Sequence, residues 1–350
     1  MSLLPILLAA AAQAAPAEPV RMNDVQAIGT HNSYKQPMSE AARAAIAARS
    51  AQAVLALDYA HRPLAEQLDR GARQIELDVN HDPQGGYYAD GSADPELSRP
   101  GFKVLHMAGT DNASSCLRLV QCLTELRTWS DRHPGHVPIL LMFNAKETDD
   151  EANGKPALRF DEAAFDALDA EVRSVLGPDK LIVPDDVQGR YPTLRDAVLA
   201  NNWPTLEKAR GRFLFALDEG PEKVAIYRGG RRSLEGRVFF INTDEDSPAA
   251  AYLTLNDPVA EGARIARDVK AGYLVRTRAD ADTWEARANT TARLEAALKS
   301  GAQYISTDYL LADRRLSDYR VALPGGGAAR CDPVRLAKGC TAARLEAGGK

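Results

Sequence analysis

Eight short stretches of apolar, largely β-branched residues recur along this 350-residue chain. They cover 25–30, 74–79, 103–107, 138–143, 213–217, 238–241, 273–277 and 304–307. Runs of this length, bounded by turn residues, read as strands buried on both faces. Segments with helical periodicity lie between them: 63–70 before the second run, 117–133 before the fourth, 258–270 before the seventh. Residues 283–300, with Leu294, Ala297 and Leu298 at helical spacing, lead into the eighth. Alternating strands and helices imply a parallel sheet, and eight strands are what a closed barrel needs. The chain is therefore predicted to be α/β, a (β/α)8 TIM-type barrel over residues 20–323. A long polar loop is expected at 81–100 and a Gly-rich tail at 324–350. No repeat of 20–50 residues is visible.

Residues 1–19 read as a signal peptide or leader. The apolar run from Leu3 to Ala12 is too short to cross a bilayer, and Ala12-Gln13-Ala14 suits small-residue cleavage, although no basic residue precedes the run. The four cysteines form two local pairs, Cys116/Cys122 and Cys331/Cys340. Proximity favours two local disulfides among the three connectivities open to four cysteines. The competing reading is a zinc site on Cys116, Cys122, His133 and His136, whose spacing fits no usual zinc pattern. Leader and disulfides together predict a secreted or periplasmic protein. The formal net charge of −5 provides no basic field to attract nucleic acid, and none is expected as a partner. A monomer is expected.

Polar residues collect where these strands end. The first strand runs into His31, Asn32, Ser33 and Tyr34, and the second carries Glu76 and Asp78. The third ends at His106, and the fourth leads into Asn144, Lys146 and Glu147. Asp218 follows the fifth and Asn242 the sixth, Arg276 and Arg278 close the seventh, and Asp308 closes the eighth. In a barrel these ends share one face, where active sites are built. Glu76 and Asp78, two apart on a strand, point the same way, and two adjacent carboxylates call for a cation between them. Asn32 adds a neutral oxygen, and Asn144 or Glu147 can close the shell. An all-oxygen set of this kind suits Ca2+, with Mg2+ the alternative, rather than zinc. The competing structural reading is a buried ion-pair network of these carboxylates with Arg73. His31 and His106, paired across a barrel mouth, suit acid–base work on oxygen. Lys146, Arg276 and Arg278, beside Asp308, are candidates for binding the substrate's phosphate. No GxSxG elbow, GxxxxGK[ST] loop or HExxH helix is present.

The segments QAIGTHNSYK, LDRGARQIELDVN, KVLHMAG, GYLVRTRADADTWEAR and SGAQYISTDY span residues 26–309. Together they resemble the phosphatidylinositol-specific phospholipase C superfamily, in particular its bacterial calcium-dependent members. The resemblance implies a closed barrel in which two histidines perform acid–base chemistry while calcium stabilises the phosphate. Position by position, His31 and His106 match the catalytic pair, and Asn32, Glu76 and Asp78 match metal ligands. The implied reaction is attack of the inositol 2-hydroxyl on phosphorus, releasing diacylglycerol and a cyclic inositol phosphate. The sequence departs from the pattern at Asn144, where a carboxylate is expected, with Glu147 three residues on.

Two other readings stand beside this one. A glycerophosphodiester phosphodiesterase would use the same barrel, metal and histidines, since specificity lives in the loops. A non-catalytic secreted barrel would bind sugar or phosphate and would keep its function without His31 and His106. The substrate is thus a phospholipid or a soluble phosphodiester. A lipid substrate would require transient contact with a membrane surface, for which Tyr34, Tyr87, Tyr88 and Trp203 are the aromatic candidates.

Overall fold

The structure is a computed structural model that describes residues 19–89, 92, 94–149, 153–342 and 345–346. The leader expected over 1–19 lies, apart from Pro19, outside the described residues. Eleven strands follow in chain order: β1 Val25–Thr30, β2 Ala72–Asn80, β3 Lys103–Val104, β4 Ile139–Lys146, β5 Leu181–Ile182, β6 Phe213–Leu217, β7 Phe239–Ile241, β8 Tyr252–Thr254, β9 Leu274–Arg278, β10 Tyr304–Thr307 and β11 Ala329–Cys331.

Eight of these form the barrel, in the order β1, β2, β4, β6, β7, β8, β9, β10 and back to β1. All seven ladders along that path are parallel. The eighth seam, between β7 and β8, is closed by one parallel bridge from Asn242 to Tyr252 and by Thr254 N–H donating to the Asn242 side chain. Every residue of β1 and β2 is buried, as expected for parallel strands filled from inside and covered by helices. The covering helices are amphipathic. In Leu119–Arg132 the residues Leu119, Cys122, Leu123, Leu126 and Trp129 face inward, and in Glu162–Leu176 Phe165, Leu168, Val172 and Leu176 do so.

Two expectations about the strands are corrected. The run at 103–107 is not a barrel strand: only Lys103 and Val104 pair, antiparallel to Val79 and Asn80. The chain returns along β2 because the polar loop over 81–102 doubles it back. The missing barrel strand is β8, three residues behind Ala249, Ala250 and Ala251. The segment 283–300 is also two helices, Trp284–Ala288 and Ala292–Ser300, separated at Asn289 with φ 51°. The tail joins the sheet, since β11 pairs antiparallel with β1. Both local disulfides are formed, Cys116–Cys122 and Cys331–Cys340, which removes the zinc reading. Among the described residues no helix is long and apolar enough to cross a membrane.

One glycine positions the site. A Cβ at Gly29 would lie 2.3 Å from the Gln74 side chain, so only glycine lets β1 lie this close to β2, where the register shifts.

Candidate active site

The end of β1 turns sharply into the barrel mouth. Asn32 adopts φ 46°, a left-handed conformation that asparagine tolerates, and Lys35 N–H donates to its carbonyl. Ser33 then grips β2: its N–H donates to the Glu76 carbonyl at 3.0 Å and its hydroxyl accepts the Glu76 N–H at 2.8 Å. This double clasp sets His31 and Asn32 beside Glu76.

His31 Nδ1 lies 2.7 Å from Asp308 Oδ1. A carboxylate can only accept, so Nδ1 carries the proton and Nε2 is left for other work. Nε2 is 3.6 Å from Glu76 Oε1. The Tyr59 hydroxyl lies 3.2 Å from Nδ1 and also accepts from Asn32 Nδ2 at 2.8 Å, and His61 Nε2 donates to the His31 carbonyl. Burial and the Arg278 charge hold the imidazole down to about 4, against the upward pull of Asp308. Burial opposes ionisation of Asp308 but is outweighed by His31 and Arg278, which hold it down to about 2.

His106 stands on the turn after β3, alongside the end of β2, where Leu105 N–H donates to the Asp78 carbonyl. Its Nδ1 donates to Asp111 Oδ2 at 2.9 Å, and Asp111 is held from the other side by the fully buried Lys35 at 2.5 Å. Burial of Asp111 is outweighed by these two donors, and its pKa is lowered. The Nε2 of His106 meets no hydrogen-bond partner among the described residues. Both histidines therefore share one arrangement, with Nδ1 on a buried aspartate and Nε2 left over, at the same mouth of the barrel.

The oxygen-bearing residues lie between them. Glu76 and Asp78 are buried on β2, and Asn144 of β4 is in register with Asp78. Asn144 Nδ2 donates to Glu76 Oε1 at 3.3 Å, while Arg276 Nη2 donates to Glu76 Oε2 at 2.7 Å. Burial nevertheless pushes Glu76 up to about 8. Lys146 Nζ lies 3.3 Å from Asp78 Oδ2. Arg73 is elsewhere: it pairs with Glu346 at the opposite end of the barrel, so the competing reading of an Arg73 network with Glu76 and Asp78 fails, and the arginine that pairs with Glu76 is Arg276. Glu147 is not brought to this group. It accepts from Phe160 N–H at 2.6 Å and pairs with Arg159 and Lys223. Arg278 pairs with Asp308 at 2.9 Å.

Among the described residues no three His, Cys, Asp or Glu side chains form a ready metal shell. The donor set at the mouth is two carboxylates, Glu76 and Asp78, with two amides, Asn32 and Asn144. That all-oxygen chemistry fits a hard cation such as calcium with reduced ligand charge. Sequence reasoning missed Lys35, Tyr59, His61 and Asp111. Asp111 follows His106 by five residues, a local signal that could have been read; Tyr59 and His61 arrive from a loop with no such mark. Of the aromatic candidates for membrane contact, Tyr34, Tyr88 and Trp203 are buried.

The fold is a (β/α) barrel with its polar cluster at one mouth, and a family match gives its class as an enzyme that cleaves phosphodiesters. The profile of calcium-dependent phosphoinositide phospholipase C matches residues 20–333, and the chain belongs to that family. Among solved structures it is similar to a calcium-dependent phosphoinositol-specific phospholipase C from Pseudomonas sp. The identity is 17%, covering 91% of this chain and 100% of that one, with a TM-score of 0.57. It is also similar to the Ca2+-dependent phosphatidylinositol-specific phospholipase C of Streptomyces antibioticus. There the identity is 20%, over 83% and 95% of the two chains, with a TM-score of 0.52. At these identities the likeness is one of fold. No curated protein matched.

Proposed function

We propose that the chain cleaves phosphatidylinositol or a related inositol phosphodiester, with His31 and His106 as the proton-transferring pair. The observation that carries the reading is the matched pair of His–Asp contacts, His31–Asp308 and His106–Asp111, flanking Glu76 and Asp78 at one mouth. One imidazole Nε2 removes the proton of the inositol 2-hydroxyl as its oxygen bonds to phosphorus. The bond from phosphorus to the diacylglycerol oxygen breaks, and the other imidazole gives that oxygen a proton. The products are diacylglycerol and a cyclic inositol phosphate. Asp308 and Asp111 orient each ring and stabilise its protonated form, as carboxylates do for catalytic histidines. Arg276 and Arg278, held by Glu76 and Asp308, present fixed positive charge to the phosphate.

Asn32, Glu76, Asp78 and Asn144 would hold calcium, with Glu147 outside the set. Bound there, calcium would neutralise phosphate oxygens and acidify the attacking hydroxyl. The two disulfides support a secreted or periplasmic site of action, and a lipid substrate implies brief contact with a membrane surface.

The test is product analysis on phosphatidylinositol, glycerophosphoinositol and glycerophosphocholine, each with calcium and with chelator. Cyclic inositol phosphate formed from the inositol substrates and lost in chelator is expected. Equal turnover in chelator would overturn the metal assignment, and glycerol 3-phosphate as product would favour a glycerophosphodiesterase.

A further inference from the structure

Tyr59 belongs to no strand or helix, yet the loop between the helices Ala51–Ala56 and Leu64–Asp69 buries it against the catalytic group. The neighbouring residues hold that loop in place. Asp58 pairs with Arg43 at 2.9 Å, Arg315 at 3.1 Å and Arg287 at 3.5 Å, arginines from three separate segments. His61 N–H donates to the Lys35 carbonyl, and its Nε2 donates to the His31 carbonyl at 2.8 Å. The Tyr59 ring is fixed as well. His31 stacks on it with centroids 5.8 Å apart and planes 29° apart, His61 meets it edge-on, and the Lys35 ammonium lies 5.5 Å from its centroid.

All of that packing needs only the ring, which leaves the hydroxyl with a separate task. A buried tyrosine hydroxyl is expected to find a polar partner. This one reaches two groups of the site at once: it accepts from Asn32 Nδ2 at 2.8 Å and lies 3.2 Å from His31 Nδ1. Asn144 spends its own Nδ2 in a comparable way, on Glu76 Oε1 at 3.3 Å. Each amide at the mouth thus has its nitrogen tied to a protein oxygen. Only for Asn32 is that oxygen supplied by a residue outside the metal-binding set.

An asparagine has a donor end and an acceptor end, and only the acceptor end can hold a cation. With Nδ2 taken by Tyr59, Asn32 Oδ1 is left for the mouth. It accepts no hydrogen bond from any described residue and is not sealed from solvent. The reverse orientation would turn two N–H groups toward a mouth that already holds Arg276, Arg278 and Lys146. The backbone has no freedom to compensate. Asn32 sits at φ 46°, with its carbonyl taken by Lys35 N–H and Ser33 clasped to Glu76 on both sides.

We propose that Tyr59 is a positioning residue: its hydroxyl holds the Asn32 amide with Oδ1 toward the bound cation. The inference rests on the proposed assignment of Asn32, Glu76, Asp78 and Asn144 to calcium, and it adds the residue that orients one of them. Because the same hydroxyl lies against His31, one side chain adjoins both the metal ligand and the catalytic imidazole.

The test is calcium titration by calorimetry, without substrate, on wild type, Tyr59→Phe, Asn32→Gly and the double variant, with melting temperatures alongside. Tyr59→Phe keeps the ring and removes only the oxygen, and glycine tolerates the positive φ at position 32. Tyr59→Phe should weaken calcium binding about two- to tenfold, the range set by one lost hydrogen bond, and should melt within a few degrees of wild type. In the Asn32→Gly background the same change should weaken binding no further, because no amide is left to orient. Turnover of phosphatidylinositol by Tyr59→Phe should need more calcium for its half-maximal rate and regain most of that rate at saturation. Unchanged calcium affinity in Tyr59→Phe would overturn the proposal. So would an equal loss in both backgrounds, which is what a loosened loop would give. A lower maximal rate with calcium affinity intact would overturn it too, by confining the hydroxyl's role to His31. Wild type that binds no calcium would sink the metal assignment itself, and this inference with it.

Discussion

One strand, β2, carries a charged cluster at each of its ends, and the two clusters are finished differently. At its start, Arg73 donates Nη1 to the carbonyls of Leu68 and Ala72, and its Nε and Nη2 to Glu346. The guanidinium lies 5.0 Å over the Trp129 ring, and Glu346 also accepts the Val137 N–H. Each of the guanidinium's three nitrogens has an acceptor. At the other end Glu76 shares Arg276, whose buried Nε has no partner, and the Nε of Arg278 is likewise unpaired. Asp78 has a lysine at 3.3 Å, and His106 keeps a nitrogen unused. The same residue types thus make a staple at one end and an unfinished site at the other. A cluster with nothing left over can only stabilise, whereas one with donors and acceptors to spare is built to take a ligand.

The largest effect expected from breaking this contrast is at the mouth. His31→Ala and His106→Ala should each lower turnover of phosphatidylinositol by about 10²–10⁴-fold, the usual contribution of a general acid or base. Neither should shift the melting temperature by more than a few degrees, since both rings are partly exposed and Asp308 and Asp111 keep Arg278 and Lys35 as partners when the rings are removed. Either variant retaining near wild-type turnover would remove that histidine from the chemistry.

The start of β2 should respond in the opposite sense. Glu346→Ala leaves Arg73 buried and short of its carboxylate, which typically costs about 3–5 kcal/mol for a buried pair. Denaturant unfolding should report that loss, while turnover below the new transition persists. An unchanged unfolding midpoint would show that the tail does not staple the barrel.

Much of this contrast was legible in the sequence, and the exceptions have physical causes. β1 and β6 were read to the residue because they are continuous apolar runs ended by polar residues. The period of two placed Glu76 and Asp78 on one face, and strand ends placed His31 and Asn144 at one mouth. β8 was missed because three residues behind a run of alanines carry too little pattern. The run at 103–107 was misread because Val104, Leu105 and Met107 are as apolar as a barrel strand, and only the preceding loop reverses them. The break at Asn289 has neither glycine nor proline to announce it. Tyr59, His61 and the Glu346–Arg73 pair depend on chain segments brought together only by the finished fold.

His136 belongs to the stapled end and makes a smaller prediction. It is buried, its Nδ1–H donates to the Val137 carbonyl and its Nε2 accepts from the Ser130 hydroxyl. Burial holds it down to about 4, below the unfolded value of 6.5. Between these values the unfolded chain takes a proton that the native one refuses. Stability from this group is therefore complete above pH 6.5, declines as the pH falls, and stops declining near 4. The full span is on the order of 3 kcal/mol, of which mildly acidic conditions reach only part. His136→Gln should flatten the fall in melting temperature between pH 6.5 and 4.5 relative to wild type. Parallel curves would mean that the proton goes elsewhere.

The smallest effect expected returns to the mouth and asks whether its cations are as fixed as Arg73. Lys146 is partly exposed and makes one contact, to Asp78 at 3.3 Å, whereas Arg73 is buried with four acceptors' worth of bonds. A divalent cation between Glu76 and Asp78 needs the same carboxylate, so lysine and metal compete for it. A partly exposed ion pair is worth only about 0.2–1 kcal/mol, which makes this lysine displaceable but not neutral. Lys146→Met should therefore tighten calcium binding, read by calorimetry without substrate, by about two- to tenfold once the added charge repulsion is counted. Asp78→Asn, which removes the contested carboxylate, should weaken binding instead. If Lys146→Met left calcium affinity unchanged or weaker, the cation would not sit where the lysine now points. The mouth would then be closed by its own lysine, as the far end of the strand is by Arg73.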